Sequence, residues 1–267
     1  MTYKIAYIGF GSIGQEVARI MQEEVDFPCV QLVLLRDGSK ALDNLPNYVM
    51  PMFSFHKMLA CKPDIVVEVA SQEAVWTYAA PSMKYGFPFV VSSVGALADQ
   101  AEREKMLAAA TLGNAKLIIP SGAVAGLDYV QAIKRIPDAQ VIYESRKPVQ
   151  AWMQELDALG VDPATLQESY VLYQGDAQEA ALKYPKNLNV AATLAIAGLG
   201  MDKTQVRVVA DPQIQKNQHL IEVKSSLGSM RVELTNLPSA TNPKTSGVVA
   251  HSVAATIFKH CSRLQIA

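Results

Sequence analysis

Cysteine is scarce: the 267 residues include three, Cys29, Cys61 and Cys261, scattered and odd in number. Such usage builds neither a disulfide framework nor a cysteine metal site, and a reducing cytoplasm is its natural setting. An excess of one charge is also lacking. Lysine and arginine number 24 against 25 acidic residues, a formal net charge of −1. No overall field therefore draws nucleic acid or an acidic membrane surface. No apolar run reaches membrane-spanning length; the richest, "NVAATLAIAGLG" (189–200), is broken by glycine. The opening "MTYKIAYIGFG" lacks a charged region, an apolar region and a cleavage site in series, and reads as a β-strand of the mature protein. Internal repeats, low-complexity tracts and charge blocks are missing too. What is plentiful is apolar: 50% of residues, with 18% charged, in keeping with a soluble globular protein with a full core. The length allows one large domain or two ordinary ones.

The first 120 residues alternate strand and helix signals. "YKIAYIGF" is followed by a helix in which Ile13, Val17, Ile20 and Met21 recur at helical spacing. "VQLVLLRD", "PDIVVEVA", "PFVVSSVGAL" and "AKLIIPSGA" are four further apolar strands. The helical stretches "EAVWTYAAPSMKYG" and "DQAEREKMLAAATLG" fall between them. Apolar strands separated by helices predict a parallel sheet covered on both faces, and right-handed crossovers make it doubly wound. Beyond residue 121 the pattern changes. A helix in "GLDYVQAIKRI" precedes "AQVIYESRKP", "ESYVLYQG", "TQVRVVADP", "QHLIEVKSS" and "GSMRVELT", several of which alternate apolar and polar residues. That is a sheet with one less-buried face, interrupted by the helix "NLNVAATLAIAGLG". The predicted class is α/β: a doubly wound parallel sheet, then a smaller α+β domain. A C-terminal helix in "SGVVAHSVAATIFKHCSRL" packs back on the first domain. The expected boundaries are 1–121 with 244–267, and 122–243.

Gly9-Phe10-Gly11-Ser12-Ile13-Gly14 is G-x-G-x-x-G, directly after a strand and opening a helix. In that context Gly9 permits the tight turn, Gly11 leaves room for a pyrophosphate, and Gly14 lets helix approach strand. The helix N-terminus, from Ser12 and Ile13 onward, offers free N–H groups to phosphate. The reading is a dinucleotide site. At the end of the second strand Arg36 precedes Asp37. The acid suits the ribose 2′-hydroxyl of NAD and the arginine the 2′-phosphate of NADP, so either cofactor is expected; both side chains also suit a solvated turn. Three more loops follow strand ends: 69–74 with Ala70 and Ser71, 92–97 with Ser93, and 120–126 with Ala123. Each is a serviceable βα turn, and together their small residues would let a nicotinamide ring come close.

In the second domain Asn187 and Asn189 stand at a helix start, flanked by Lys183 and Lys186. One asparagine is enough for a cap; the other amide can donate and accept, as a carboxamide partner must. His219, in the strand-like "NQHLIEV", shares a face with Ile221 and Val223. A buried structural histidine is the ordinary reading of such a position. If a proton acceptor near neutral pH is needed, His219 is the first choice over His56, His251 and His260, which lack comparable polar neighbours.

Four stretches together resemble the L-aspartate dehydrogenase family: "IGFGSIG", "SGAVAGLD" (121–128), "YPKNLNVAATLAIAG" (184–198), and "ADPQIQKNQHLIEV" with "NPKTS" (242–246) downstream. The likeness runs over essentially the whole chain. It implies a Rossmann domain, a smaller catalytic domain and a homodimer. It also implies NAD- or NADP-dependent oxidation of L-aspartate to iminoaspartate, serving NAD biosynthesis. By the same resemblance His219 is the active-site residue, and Ala123 and Asn189 contact the cofactor. Asn187, Lys244, Thr245 and Ser246 are the candidates for the substrate carboxylates, although "NPKTS" also reads as a turn and helix cap. No metal is expected. Two alternatives stand beside this: a reductase of the dihydrodipicolinate or homoserine type, and a non-catalytic dinucleotide-binding sensor.

Overall fold

The computed structural model describes residues 2–184, 189–239 and 245–264, and the chain divides into two compact units, Met1–Gly122 with Val248–Ala267, and Ala123–Gly247. In the first unit the chain runs β1 (Tyr3–Ile8), α1 (Ser12–Glu23), β2 (Cys29–Leu34), β3 (Val49–Met52), α2 (Phe55–Ala60), β4 (Ile65–Glu68), α3 (Gln72–Lys84), β5 (Phe89–Val91), α4 (Gln100–Leu112) and β6 (Leu117–Ile118). The sheet order is β3-β2-β1-β4-β5-β6, with every pairing parallel. This is the doubly wound arrangement expected from the apolar strands. β3 and α2 are additions to that expectation: "VMPM" carries a proline and an exposed Met50, so its strand character is weak in sequence. It pairs with β2 at the sheet edge, where a missing N–H is tolerated. His56 lies in α2.

The tail helix Val248–Cys261 belongs to this unit. Its Ala250, Val253, Ala254 and Ile257 are buried with Ile5, Tyr7, Val17 and Met21 in one core. Tyr3 Oη donates to the Cys261 carbonyl at 3.0 Å, closing the helix end on β1.

In the second unit follow α5 (Leu127–Ile133), β7 (Gln140–Pro148), α6 (Met153–Ala158), β8 (Tyr170–Asp176), α7 (Ala177–Lys183), α8 (Asn189–Ala197), β9 (Gln205–Asp211), β10 (Asn217–Ser225) and β11 (Gly228–Asn236). The five strands are ordered β11-β10-β7-β9-β8. β7 and β9 run parallel and the other neighbours antiparallel. The period of two splits β7 into faces. Glu144 and Arg146 lie on one, where Arg146 and Arg207 meet the Glu144 carboxylate at 2.7 and 3.0 Å and Arg146 also meets Asp211 at 2.6 Å. Tyr143, Ser145 and Lys147 lie on the other. Helices cover part of this second face. Gly126 before α5 lies against Met230 and Val232 of β11, and Gly198 after α8 lies against Val130.

A charged residue in mid-sheet stands out in the first unit. Glu68, the last residue of β4, is fully buried. Its Oε1 accepts from Ala70 N–H at 2.7 Å and Ser93 Oγ at 2.9 Å; its Oε2 accepts from Ser93 N–H at 3.0 Å and Ser92 N–H at 3.2 Å. Burial pushes this carboxyl up from the usual range, and the four hydrogen bonds offset part of that. The effect is to bind the loop after β4 to the loop after β5. Ala70 is thereby set against Gly9. A Cβ on Gly9 would stand 2.6 Å from the Ala70 Cβ, and φ is +94°, so glycine alone fits. Replacing Glu68 by alanine removes four hydrogen bonds, from the N–H groups of Ala70, Ser92 and Ser93 and from the Ser93 hydroxyl, each to a charged acceptor and worth about 1 kcal/mol or more. We expect Glu68→Ala to lose about 3 kcal/mol or more in urea unfolding. A loss below about 1 kcal/mol would mean that water readily replaces the carboxylate.

Candidate active site

The glycine turn opens on a cleft of about 530 Å³, within the range of small-molecule and cofactor sites. Its walls are Gly9, Gly11, the ends of β1 and β2 with Arg36 and Ser39, and Ala70 and Ser71 at the start of α3. A Cβ on Gly11 would meet nothing within 4 Å, so the backbone there faces open space. A Cβ on Gly14 would sit 2.9 Å from the Gly9 carbonyl oxygen and 3.2 Å from Val69 Cγ2. Gly14 therefore serves the close approach of helix to strand. α1 has no acidic residue in its first turn and no side chain capping it, which leaves its N-terminal end positive. These features fit the pyrophosphate of a dinucleotide.

Of the residues singled out in sequence, Gly9, Gly11, Arg36, Ala70 and Ser71 line this cleft, whereas Ser12, Ile13, Gly14, Asp37 and Ser93 are not among its lining side chains. Ile13 packs against the core. Ser71 caps α3, its hydroxyl accepting from Ala74 N–H at 3.2 Å, and the Ser93 hydroxyl is given to Glu68. Arg36 and Asp37 are both exposed just beyond β2, with Arg36 alone of the two on the cleft wall.

In the second unit His219 lies on β10 opposite Ser145 of β7 and Leu234 of β11. It is 8% exposed. Its Nδ1 lies 2.8 Å from the hydroxyl of the fully buried Tyr143. Lys147 continues the same face of β7, its ammonium 4.8 Å from the centroid of the buried Trp152 ring. Burial, and then the charge of Lys147, lower the His219 pKa to about 4. Burial lowers Lys147 to about 8, opposed by the charge of Glu155. At neutral pH the face thus offers a neutral imidazole beside an ammonium group. Two residues along from His219 and Leu234, Asn217 pairs with Asn236, whose side-chain N–H donates to the Ala123 carbonyl at 3.0 Å. That bond ties Ala123 to this end of the sheet. Past β11, Thr245 and Ser246 return alongside Pro238 and Ser239: the Thr245 carbonyl accepts from Ser239 N–H at 2.7 Å, and Ser246 bridges Pro238. The Ser246 hydroxyl is buried without a hydrogen-bond partner among the described residues. Asn189 is exposed as the first residue of α8. Asn187, Lys186 and Lys244 lie outside the described residues. Lys183 is on α7, over the rings of Tyr173 and Tyr184 at 5.6 and 5.9 Å.

Tyr143, Lys147 and Glu68 were not anticipated. The alternation Tyr143-x-Ser145-x-Lys147 sets three polar side chains on one face of β7, and Glu68 is an acid inside "IVVE"; both are visible in sequence once the strands are known.

The depressed pKa of His219 makes stability depend on pH. An unfolded chain protonates this ring below about 6.5, while the native ring stays neutral until about 4. The contribution is full above 6.5 and lost as pH falls to 4, about 3 kcal/mol in all. Comparing urea unfolding at pH 7 and 4.5, His219→Gln should lose about 2–3 kcal/mol less than the wild type. Equal losses in the two proteins would mean that the native ring is already charged at pH 4.5.

Comparisons with known proteins agree with this layout. The family model "Homoserine dehydrogenase, NAD binding domain" matches residues 9–120, and "Aspartate dehydrogenase, C-terminal" matches residues 128–260. The chain is 49% identical over 266 residues to L-aspartate dehydrogenase 2 of Bordetella pertussis, covering 100% of both chains. It is 37% identical over 270 residues to L-aspartate dehydrogenase of Methanosarcina barkeri, covering 98% of each. Among solved structures it is similar to aspartate dehydrogenase from Thermotoga maritima, with a TM-score of 0.79, 27% identity and 99% of each chain covered. A hyperthermophilic archaeal homoserine dehydrogenase in complex with NADPH shares the fold at a TM-score of 0.59 and 15% identity, covering 98% of each chain. A match of this identity over the full length, with the aspartate dehydrogenase model spanning the unit that carries His219, places the chain in the L-aspartate dehydrogenase family.

Proposed function

We propose that this protein oxidises L-aspartate to iminoaspartate with NAD or NADP, and in reverse aminates oxaloacetate reductively. The observation that carries the reading is the neutral, buried His219 beside the cationic Lys147 on one sheet face. A dehydrogenase acting on an amino dicarboxylate needs both: a base that is free at neutral pH, and positive charge for a carboxylate.

Gly9, Gly11, Ser12, Ile13 and Gly14 hold the dinucleotide phosphates through backbone N–H groups and the α1 terminus. Ala70, Ser71 and Ser93 shape the adjoining loops, and Ala123 and Asn189 contact the nicotinamide end. Arg36 and Asp37 meet the adenosine ribose. The place of Arg36 on the cleft wall supports acceptance of NADP beside NAD. When bound, the nicotinamide takes up the hydride that leaves the substrate α-carbon. His219 accepts the proton given up by the substrate amine as the C=N bond forms. Once that proton has passed to solvent, the same nitrogen can activate the water that adds to the C=N bond, and the imine is hydrolysed to oxaloacetate and ammonia. Such acid–base help is worth about 10²–10⁴-fold. Lys147, with Asn187, Lys244, Thr245 and Ser246, binds the carboxylates. The protein acts in the cytoplasm as a homodimer, in NAD biosynthesis.

Purified protein mixed with oxaloacetate, ammonium and NADH or NADPH should consume the reduced cofactor, followed by its absorbance. Turnover only with another 2-oxo acid would move the reading to a related reductase, and binding without turnover would leave a sensor. His219→Ala should cut turnover by about 10²-fold or more with the fold intact. Full activity in that variant would remove the imidazole from the chemistry. Arg36→Ala should weaken NADP by about tenfold, the loss of one charge-assisted contact, and NAD much less. Equal weakening would show that Arg36 does not read the 2′-phosphate.

A further inference from the structure

The contact between Tyr143 Oη and His219 Nδ1, 2.8 Å apart and buried, has two possible senses. If the phenol donates, the neutral ring carries its proton on Nε2, and neither nitrogen is free to accept another. If Nδ1–H donates, Nε2 is bare and basic, and the phenol proton must go to a different acceptor. The phenol cannot become an acceptor by ionising, since burial drives its pKa far above neutrality. The sheet supplies the acceptor. Ser145 follows Tyr143 on the same face of β7 and is the cross-strand partner of His219. It is fully buried, and its Oγ has no hydrogen-bond partner among the described residues. A buried hydroxyl left unpaired is costly, and turning the phenol O–H toward it removes that cost.

We infer that Tyr143 and Ser145 are positioning residues that set the tautomer of His219: Nδ1–H donates to Tyr143 Oη, Tyr143 Oη–H donates to Ser145 Oγ, and Nε2 is the basic nitrogen. The inference rests on the reading of His219 as the base and names the atom that acts. It also explains how the ring takes a proton without rearrangement. When Nε2 is protonated the Nδ1–H bond to the phenol is unchanged, and the positive ring strengthens it. In the opposite tautomer the incoming proton would have to displace the phenol from Nδ1. Tautomer control of this kind governs other catalytic histidines; in serine proteases, loss of the partner that fixes the ring costs about 10⁴-fold.

The test is a long-range ¹H–¹⁵N spectrum of protein labelled with ¹⁵N-histidine at pH 7, with His219 assigned by its absence in His219→Gln. The expected spectrum has His219 protonated on Nδ1 and bare on Nε2; the opposite pattern overturns the proposal. Ser145→Ala keeps the phenol but removes its acceptor. It should move the proton to Nε2 and lower kcat about 10²-fold, with KM for the dinucleotide unchanged. An unaltered tautomer in that variant overturns the relay, as does an unaltered kcat. Tyr143→Phe should match Ser145→Ala in kcat and release the ring from the Nδ1–H form; a ring still held in that form overturns the role of Tyr143. The spectra are read without turnover. If the wild type fails to use oxaloacetate, the proposed reaction falls while the spectra still decide the tautomer.

Discussion

A carboxylate sealed inside a parallel sheet fixes the geometry of the first unit. Glu68 ends β4 with its charge removed from water, a position tolerable only because four hydrogen bonds converge on it. The order it imposes is specific. Two loops from neighbouring strands are held to one residue, Ala70 is pressed toward Gly9, and Gly9 must take a positive φ. The turn then delivers the chain into α1, whose N-cap Gly11 has no side chain to cap it and whose first turn carries no acidic residue. The glycine signature is thus half of an arrangement whose other half lies sixty residues on. Glycines permit the turn, but the carboxylate determines what they turn against.

The second unit applies the same desolvation to a different end. There burial acts on two bases, and it lowers both His219 and Lys147. The outcomes differ because the starting values differ. Lysine lowered to about 8 is still mostly charged at neutral pH, and histidine lowered to about 4 is not charged at all. The charge on Lys147 adds to the shift on His219, so one group holds the other in its complementary form. The Trp152 ring under the ammonium returns part of what the lysine loses in hydration.

The periodicities carried most of the architecture. Fully apolar strands between amphipathic helices can satisfy themselves only in a covered parallel sheet, and alternating strands only in a sheet with one wetter face. What escaped was of two kinds. β3 is short, contains Pro51 and leaves Met50 in solvent, so nothing local distinguishes it from a loop; its strand identity comes from its pairing with β2. The site residues escaped for a related reason. His219 drew notice because a lone ionisable ring interrupts an apolar strand. Tyr143 and Lys147 lie more than seventy residues earlier, and only the antiparallel pairing of β7 with β10 brings that face beside the histidine. Ser71 and Ser93 were legible as small loop residues, but not as a helix cap and a ligand of a buried carboxylate. A hydroxyl's partner is a property of the fold.

An exposed catalytic histidine would titrate near its ordinary pKa, spend part of its time charged, and exchange tautomers through water. Placing it at 8% exposure removes the first two difficulties and creates a third. With little of the ring open to solvent, its tautomer is set by the neighbours that hydrogen-bond to it. A buried histidine with no partner on Nδ1 would gain neutrality and lose control of its basic atom. The phenol of Tyr143 supplies that partner, but a hydroxyl both donates and accepts, so by itself it allows either sense. Only a third polar group fixes the choice, and the β-sheet positions one at no further structural cost, because residues 143 and 145 share a face by the period of the strand. The same alternation that exposes an apolar surface to α5 and α8 therefore aligns the polar end of that surface, with Ser145 on the same face as Tyr143 and across from the ring.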